Sequence, residues 1–274
     1  MESNTVPNNL SRHARAITFI TVVFLLALGC ALLGGVAINF YACTPLLATL
    51  VMLAPAASRR PGVSISALLG LRSSGVEYWA MAALVPAAVL LNSYLLAWVL
   101  GIARLDPPGD RDAWLRLGCD NLLGLLPMMM FAFGEEIGWR GYLTSCFAAL
   151  DARGAVLLVG FVHALWHLPL MLLTTVYHDG GNPVLVVPLF TATLTLGGVF
   201  YGYLRLRSGS LWPVVLAHAA FNQAWQALDD VTSSASPLAM EYLAGESGLL
   251  TLLAVAVVAC SLLRRFTGMP AVVR

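Results

Sequence analysis

The chain has 274 residues, of which 59% are hydrophobic and 11% are charged, with a formal net charge of +1. Soluble globular proteins carry about 25% charged residues, so this composition, with a mean hydropathy of +0.82, excludes an ordinary soluble domain. The near-neutral charge also leaves no basic surface for binding nucleic acid. The sequence therefore predicts an all-α, polytopic integral membrane protein whose surroundings are the lipid bilayer.

Apolar segments of helical length recur along the whole chain. A membrane-spanning helix needs about 20 mostly apolar residues, because lipid offers no hydrogen-bond partner for backbone amides. The predicted helices are about eight in number: 17–39, 42–57, 78–101, 120–148, 154–176, 183–204, 209–227 and 247–263. The hydrophilic stretches between them are too short to bury a core of their own. We therefore expect residues 1–274 to form a single transmembrane domain, in which the last stretch, 228–246, is a polar outer loop.

The basic residues, all fifteen of them arginine, are unevenly distributed over the predicted loops. Eleven fall at the two ends or in the loops on the same side of the membrane as the ends: Arg12, Arg15, Arg59, Arg60, Arg72, Arg153, Arg205, Arg207, Arg264, Arg265 and Arg274. By the positive-inside rule, both termini are expected to face the cytoplasm. Arginine-only basic usage, with much alanine, leucine and valine, is typical of GC-rich bacterial coding. We therefore expect a multi-pass protein of the bacterial inner membrane.

The fourth predicted helix contains three ionisable residues inside the apolar stretch "FAFGEEIGWRGYL". A charged side chain at the centre of a membrane helix costs roughly 2.5–3.5 kcal/mol on insertion scales, so these groups must be paired or functional. At about 100° per residue, Arg140 lies on the same helix face as Glu136 and away from Glu135. The spacing predicts that Glu136 pairs with Arg140, while Glu135 is left as a candidate general base.

The fifth predicted helix contains "GFVHALWHLPL". His163 and His167 are four residues apart and share one helix face. Pro169 allows the helix to open just beyond His167. A lone histidine on an apolar helix is more often a hydrogen-bonded core residue than a catalyst, but this arrangement favours a function for His167.

The seventh predicted helix contains "LAHAAFNQAW". His218 and Asn222 are also four residues apart, so both side chains point the same way. Two converging donors of this kind are what a developing oxyanion requires. Counted from the arginines at the segment boundaries, at 1.5 Å per residue, all three polar groups lie at a similar depth in the membrane.

Spacing alone leaves several functions open for this buried polar group. The ion pair could fix helix packing, or the acidic and imidazole groups could form a proton or ion path. The chain would then be a transporter, or a scaffold or immunity protein that binds a peptide in a polar cavity without cutting it. Catalysis is the remaining interpretation of the same residues.

The three motifs, in their order along the chain, carry a resemblance to a known family. "EEIGWR" is an E-E-x-x-x-R motif, "HALWH" stands where an aromatic-x-x-x-H motif would, and "HAAFN" is an H-x-x-x-N motif. By these motifs the chain resembles the CPBP intramembrane proteases, also called the CAAX-protease and bacteriocin-processing (Abi) family. The helices that carry the motifs lie within about 120–227. Carried over onto this sequence, the resemblance implies catalytic roles for Glu135, Glu136, Arg140, His167, His218 and Asn222.

The resemblance also implies a division of labour among these residues. Glu135 and His167 would activate water for attack on a peptide carbonyl, and His218 and Asn222 would stabilise the tetrahedral oxyanion. The second glutamate and the arginine of the first motif would order the site. The partner implied is a peptide or protein substrate at the membrane.

Two features of the site remain as alternatives. A metal-free mechanism with no cofactor is the favoured expectation, but Glu135, His167 and His218 would also suffice as a zinc site with water as the fourth ligand. His163 departs from the family by occupying the aromatic position of the second motif. We expect it to pack like the aromatic that it replaces; the alternative is a second imidazole that orients His167 or accepts a proton.

The function expected from the resemblance is intramembrane endopeptidase activity. The substrate would be a membrane-associated or lipidated peptide or protein, in bacteriocin processing or self-immunity. Eukaryotic members of the family trim prenylated CAAX termini, but bacteria generally do not prenylate proteins, so CAAX cleavage is not the native role that we expect. The alternative is the non-hydrolytic transporter or peptide-binding protein described above.

Overall fold

The computed structural model describes residues 9–57, 64–178 and 180–266. Arg59, Arg60 and Arg274, which were used to predict orientation, lie outside these residues. The described chain is helical almost throughout. Its α-helices are α1 (Asn9–Leu33), α2 (Thr44–Ala57), α3 (Ile65–Leu69), α4 (Trp79–Val99), α5 (Arg111–Glu136), α6 (Thr144–Cys146), α7 (Ala152–Trp166), α8 (Leu168–Leu173), α9 (Pro183–Ser208), α10 (Trp212–Asp230), α11 (Pro237–Leu243) and α12 (Leu249–Leu263).

Seven helical stretches within the described ranges are long and apolar enough to cross a membrane, which confirms an all-α, multi-pass membrane protein. They are Arg12–Leu33, Gly35–Ala54, Val76–Val99, Arg111–Cys146, Ala152–Leu173, Pro183–Ser208 and Leu249–Phe266. Several run through short 3₁₀ turns, Gly35–Cys43, Val76–Tyr78 and Arg264–Phe266, that continue into or from an α-helix. Large apolar side chains such as Leu33, Val99 and Leu122 are exposed on the helix surfaces, as expected of helices that face lipid.

The predicted helix 209–227 is present as α10, but it is not among the seven stretches. Its polar side chains, which include His218, Asn222 and Gln223, reduce its apolar character. These side chains are tolerated because α10 packs between other helices, chiefly α4 and α5. The helix therefore lies among its neighbours and brings its polar face into the protein interior.

The fourth predicted helix begins earlier than expected and changes form in the middle of the first motif. It starts at Arg111, where Asp110 caps the helix by accepting a hydrogen bond from the amide of Ala113 (Oδ1–N 2.7 Å). Directly after Glu136 the backbone adopts a π-helical turn, Ile137–Leu143. Such turns inside α-helices are frequent at functional sites.

The predicted outer loop 228–246 has more structure than the sequence indicated. A two-stranded antiparallel ribbon joins β1 (Arg104–Leu105) to β2 (Thr232–Ser233). The short helix α11 follows, capped by the side chain of Ser236, which accepts from the amide of Ala239. This segment lies beside the connection that follows α8, so its side chains reach residues near the second motif.

Helices α7 and α9 cross at a pair of glycines. A Cβ added to Gly160 would lie 2.7 Å from the carbonyl oxygen of Thr195, and one added to Gly198 would lie 2.7 Å from the Cα of Gly160. Close approach of backbones at small residues is the usual way for membrane helices to pack. The crossing holds the second motif, on α7, against α9 and the π-helical turn.

Candidate active site

Glu136 and Arg140 form the buried ion pair that their spacing predicted. The Nη1 atom of Arg140 donates to both carboxylate oxygens of Glu136, at 2.9 and 3.0 Å. Glu136 is 0% and Arg140 1% exposed. The guanidinium also lies over the ring of Tyr201, 4.9 Å from its centroid. The carbonyl oxygen of Arg140 accepts from Nε of Arg205 on α9 (3.1 Å), which anchors the π-helical turn.

His163 lies between this ion pair and Glu135. Its Nδ1 is 3.1 Å from Nη1 of Arg140, and its Nε2 is 3.0 Å from Oε2 of Glu135. Because an arginine can only donate, Nδ1 must be the acceptor. The proton of a neutral His163 is therefore on Nε2, from which it is donated to Glu135. His163 also packs as an aromatic would, with its ring centroid 5.3 Å from that of Trp139, while its imidazole contacts Glu135 and not the ring nitrogens of His167.

His167 is placed at the junction of α7 and α8. Its amide bonds to the carbonyl of Ala164 (3.1 Å), and its imidazole Nδ1 lies 3.1 Å from the carbonyl oxygen of His163. Since a carbonyl oxygen can only accept, Nδ1 carries the proton. The Nε2 atom of a neutral His167 is thus left with a lone pair, and the residue lines the cavity described below.

His218 and Asn222 approach the same site from α10. Nδ1 of His218 is 2.9 Å from Oε1 of Glu136 and donates to it, while the ring stacks on Tyr201 (centroids 5.7 Å apart, interplanar angle 15°). The Nδ2 atom of Asn222 contacts the sulfur of Met128 at 3.7 Å. Thioether sulfur is a weak acceptor, so this amide can exchange the contact for a better one.

A cavity of about 480 Å³ joins these groups. Its polar lining includes Glu135, His163, His167, His218 and Asn222, whereas Glu136 and Arg140 support it from behind. Most of the remaining wall is apolar, formed by Val85, Val89, Phe131, Leu194, Phe200, Trp225, Val255 and other residues. A small number of convergent polar groups in an apolar cavity is the usual form of a binding or active site.

The donor set fits a zinc ion, and two groupings compete for it. Ligand atoms of Glu135, His163 and His167 lie within 4.8 Å of one another. However, Arg140 occupies Nδ1 of His163, so Nε2 would have to give up its only proton before it could bind a metal. His218, the third ligand of the sequence-based set, is not part of this grouping.

The chemistry of the outer partners favours the grouping of Glu135 with His167 and His218. Zinc-ligating histidines usually donate the other ring N–H to a carbonyl or carboxylate. Nδ1 of His167 does so to a backbone carbonyl, and Nδ1 of His218 does so to Glu136. The sequence-based ligand set therefore has suitable outer partners, although the tightest grouping contains His163.

A second polar cluster, which the sequence did not indicate, lies at another part of the cavity wall. The Tyr177 hydroxyl donates to Oε2 of Glu246 (2.5 Å), and His178 is hydrogen-bonded through Nδ1 to Glu241. Nε2 of His178 lies 3.7 Å from Oε2 of Glu246. The only signal in the sequence was a pair of glutamates within the outer loop 228–246, and nothing there linked them to the "YH" after α8.

Charges in this second cluster are set by mutual contacts. Burial would lower the pKa of His178, but the hydrogen bonds with Glu241 and Glu246 raise it to about 9. Burial would raise the pKa of Glu246, but His178 and Tyr177 more than offset this and leave it below the usual value. At neutral pH one imidazolium therefore faces two carboxylates.

Comparison with known proteins gives one finding at the level of family. Residues 120–224 match the family model described as type II CAAX prenyl endopeptidase Rce1-like. The matched segment contains all three motifs and every residue to which the resemblance gave a catalytic role. No curated protein matches the chain.

Proposed function

We propose that the chain, whose residues 120–224 match the Rce1-like CAAX protease model, is an intramembrane endopeptidase of the CPBP family that cuts its substrate with activated water. One observation carries the proposal: Glu135, His167, His218 and Asn222, from three different helices, line a single cavity. Convergence of a base, imidazoles and an amide on one space is what peptide hydrolysis requires. Helix packing alone does not require such convergence.

Glu135 is the proposed general base. One of its oxygens accepts from His163, and this bond fixes the carboxylate so that the other oxygen can take a proton from water. The lone pair on Nε2 of His167 accepts a hydrogen bond from the same water. The water oxygen then bonds to the carbonyl carbon, and the protonated Glu135 returns the proton to the leaving amine as the C–N bond breaks.

His218 and Asn222 are the proposed oxyanion donors. As an imidazolium, His218 donates from Nδ1 to Glu136 and from Nε2 toward the cavity, and the Glu136 carboxylate stabilises that charge. The Asn222 amide leaves the sulfur of Met128 to donate to the oxyanion. In the alternative form, a zinc ion held by Glu135, His167 and His218 would supply Lewis-acid activation of the water; the metal-free form is the one we propose.

The setting proposed is the bacterial inner membrane. The substrate is a membrane-associated or lipidated peptide or protein, as in bacteriocin maturation or self-immunity. Prenylated CAAX termini are not the proposed substrate. The arginine-only basic composition is typical of a bacterial protein, and bacteria generally do not prenylate proteins.

The test uses protein purified in detergent without a histidine tag and a peptide library read by mass spectrometry. We expect cleavage by the wild type, and losses of about 100-fold or more in Glu135→Gln and His167→Ala. Glu77→Gln, at an exposed glutamate on a 3₁₀ turn, is the matched control and should cleave normally. Cleavage that survives both active-site changes would remove the proposed chemistry.

Two other outcomes would point to the alternatives. Transport across the membrane of liposomes that depends on pH, without hydrolysis of peptide bonds, would identify a transporter. Peptide binding that survives Glu135→Gln, with no product under any condition, would identify a binding protein. A metal assay on the same samples decides the cofactor: stoichiometric zinc that is lost in His167→Ala and His218→Ala would overturn the metal-free form.

A further inference from the structure

Glu246 places a carboxylate in the wall of the cavity, away from the residues of the three motifs. It lies in the connection between α11 and α12, and its side chain is 10% exposed. It lines the same cavity as Glu135 and His167. A largely buried carboxylate in a mostly apolar wall is costly unless it is paired or used.

The carboxylate is held in place from one side only. The Tyr177 hydroxyl and Nε2 of His178 both face Oε2 of Glu246, at 2.5 and 3.7 Å. Within the described part of the chain, Oε1 accepts no hydrogen bond. Glu246 thus has one fixed oxygen and one that remains able to accept from a molecule in the cavity.

The position of Glu246 is tied to the catalytic group through aromatic contacts. The ring of Tyr177 packs on that of His167, with centroids 5.8 Å apart. Phe190, which is fully buried, supports both rings at 5.7 and 5.1 Å. A substrate whose scissile bond lies beside His167 would therefore present a neighbouring residue within reach of Glu246.

The charge of the cavity points to the chemistry of that neighbour. Glu135 and Glu246 both line it, and no lysine or arginine is found among the described residues that do. His178 is shared between Glu246 and Glu241, so it does not neutralise both. Even with His218 as the proposed imidazolium, the carboxylates of Glu135 and Glu246 leave the wall with an excess of negative charge, which attracts a cation and repels a free C-terminal carboxylate.

We propose that Glu246, held by Tyr177 and His178, is a specificity subsite for a positively charged group of the substrate, a lysine or arginine side chain or an N-terminal amine near the scissile bond. This proposal rests on the proposed function, whose substrate class it narrows. A charged, directional contact in an apolar cavity discriminates strongly between substrates with and without a positive charge at this position. A substrate that lacks the charge leaves the Glu246 carboxylate without a partner on the substrate. The subsite also accounts for a glutamate in the cavity wall that the three motifs do not use.

The experiment compares pairs of fluorescent apolar peptides of about 15 residues. In each pair a single lysine, moved in turn along the peptide, is either free or Nε-acetylated. Binding is measured by fluorescence anisotropy on Glu135→Gln protein, and kcat/KM is measured on protein with Glu135 intact. For the best lysine position we expect the free amine to be favoured by about tenfold or more, equivalent to about 1.4 kcal/mol.

Glu246→Gln should bring that ratio to within about twofold in both assays, since an amide keeps the acceptor for Tyr177 but not the charge. The matched control is Glu77→Gln, which removes an exposed carboxylate that does not line the cavity, and it should keep the preference. Thermal unfolding of each variant in detergent checks that the fold is retained.

The outcomes separate this proposal from the function on which it rests. Equal binding of the free and acetylated peptides at every lysine position overturns the subsite. This outcome can be read without any variant of Glu246. A preference that is unchanged in Glu246→Gln overturns it as well and leaves Glu246 a structural residue. Absence of cleavage by protein with Glu135 intact contradicts the protease, while the binding arm still decides the subsite.

Discussion

The donor and acceptor roles at His163 follow from a single neighbour. Arg140 can only donate, so it fixes the proton of a neutral His163 on Nε2 and turns that proton toward Glu135. The ion pair of Arg140 with Glu136 is thereby connected to Glu135, the proposed base, through the imidazole of His163. His163 acts through Glu135 and is a positioning residue, whereas an aromatic at the same place could provide only the packing.

Substitution of His163 separates positioning from packing. His163→Phe keeps a ring against Trp139 but removes the donor to Glu135, so we expect kcat to fall by about 10–100-fold with little change in KM or in the unfolding temperature. His163→Gln can still accept from Arg140 and donate to Glu135, and should recover part of the loss. Steady-state kinetics and thermal unfolding give the measurements. Equal kcat in His163→Phe and wild type would show that packing is the whole role.

Spacing along one helix predicted contacts within that helix but not the partner of Glu135. Glu136 and Arg140 are four residues apart, so their pairing follows from helical geometry alone. The bond from His163 to Glu135 joins two helices, and it depends on how closely and at what rotation α7 packs on the π-helical turn. No pattern in either segment specifies that rotation.

At the scale of the helices, the site is held by a close crossing and a locally altered helix. The π-helical turn follows Glu136 directly, and its carbonyl at Arg140 is bonded by Arg205 from α9. Gly160 and Gly198 let α7 approach α9 closely enough for His163 to reach Arg140. An ordinary helix and a wider crossing would separate the imidazole from both acidic residues.

Gly160→Ala tests this crossing. The added Cβ would lie 2.7 Å from the carbonyl of Thr195, so α7 must move, and we expect a loss of about 1–3 kcal/mol in stability together with reduced activity. The control is Gly29→Ala on α1, where a Cβ would have nothing within 4 Å. Thermal unfolding in detergent measures both variants. An unfolding temperature equal to that of the control would show that the crossing tolerates the methyl group.

Over the whole molecule, the direction in which the helices are inserted decides which connections face each side of the membrane. Seven helical stretches of the described chain can cross a membrane, and α10 packs among them with its polar face inward. The second polar cluster lies on the connection after α8, on α11 and on the connection that follows α11, all on the side opposite the termini in the predicted orientation. The direction in which the chain is inserted therefore fixes on which side of the membrane the proposed subsite at Glu246 lies.

The predicted orientation can be measured with reporter fusions. Because arginines concentrate at the two ends and in the loops on their side, a green fluorescent protein at the C-terminus should fluoresce and alkaline phosphatase at the same place should be inactive. Phosphatase inserted after Gly109, in the segment before α5, should be active. The reverse pattern at both positions would invert the topology.

The sequence by itself determined the class of the protein and the identity of its motif residues. Apolar length fixes the helices because lipid forbids unpaired backbone, and helical period fixes which residues of one helix share a face. The tertiary structure decided what these faces meet: His163 against Glu135, His218 against Glu136, and Glu246 in the same cavity. Those contacts join residues up to 82 positions apart, and they depend on packing at glycines and a π-helical turn, which the local pattern of residues does not encode.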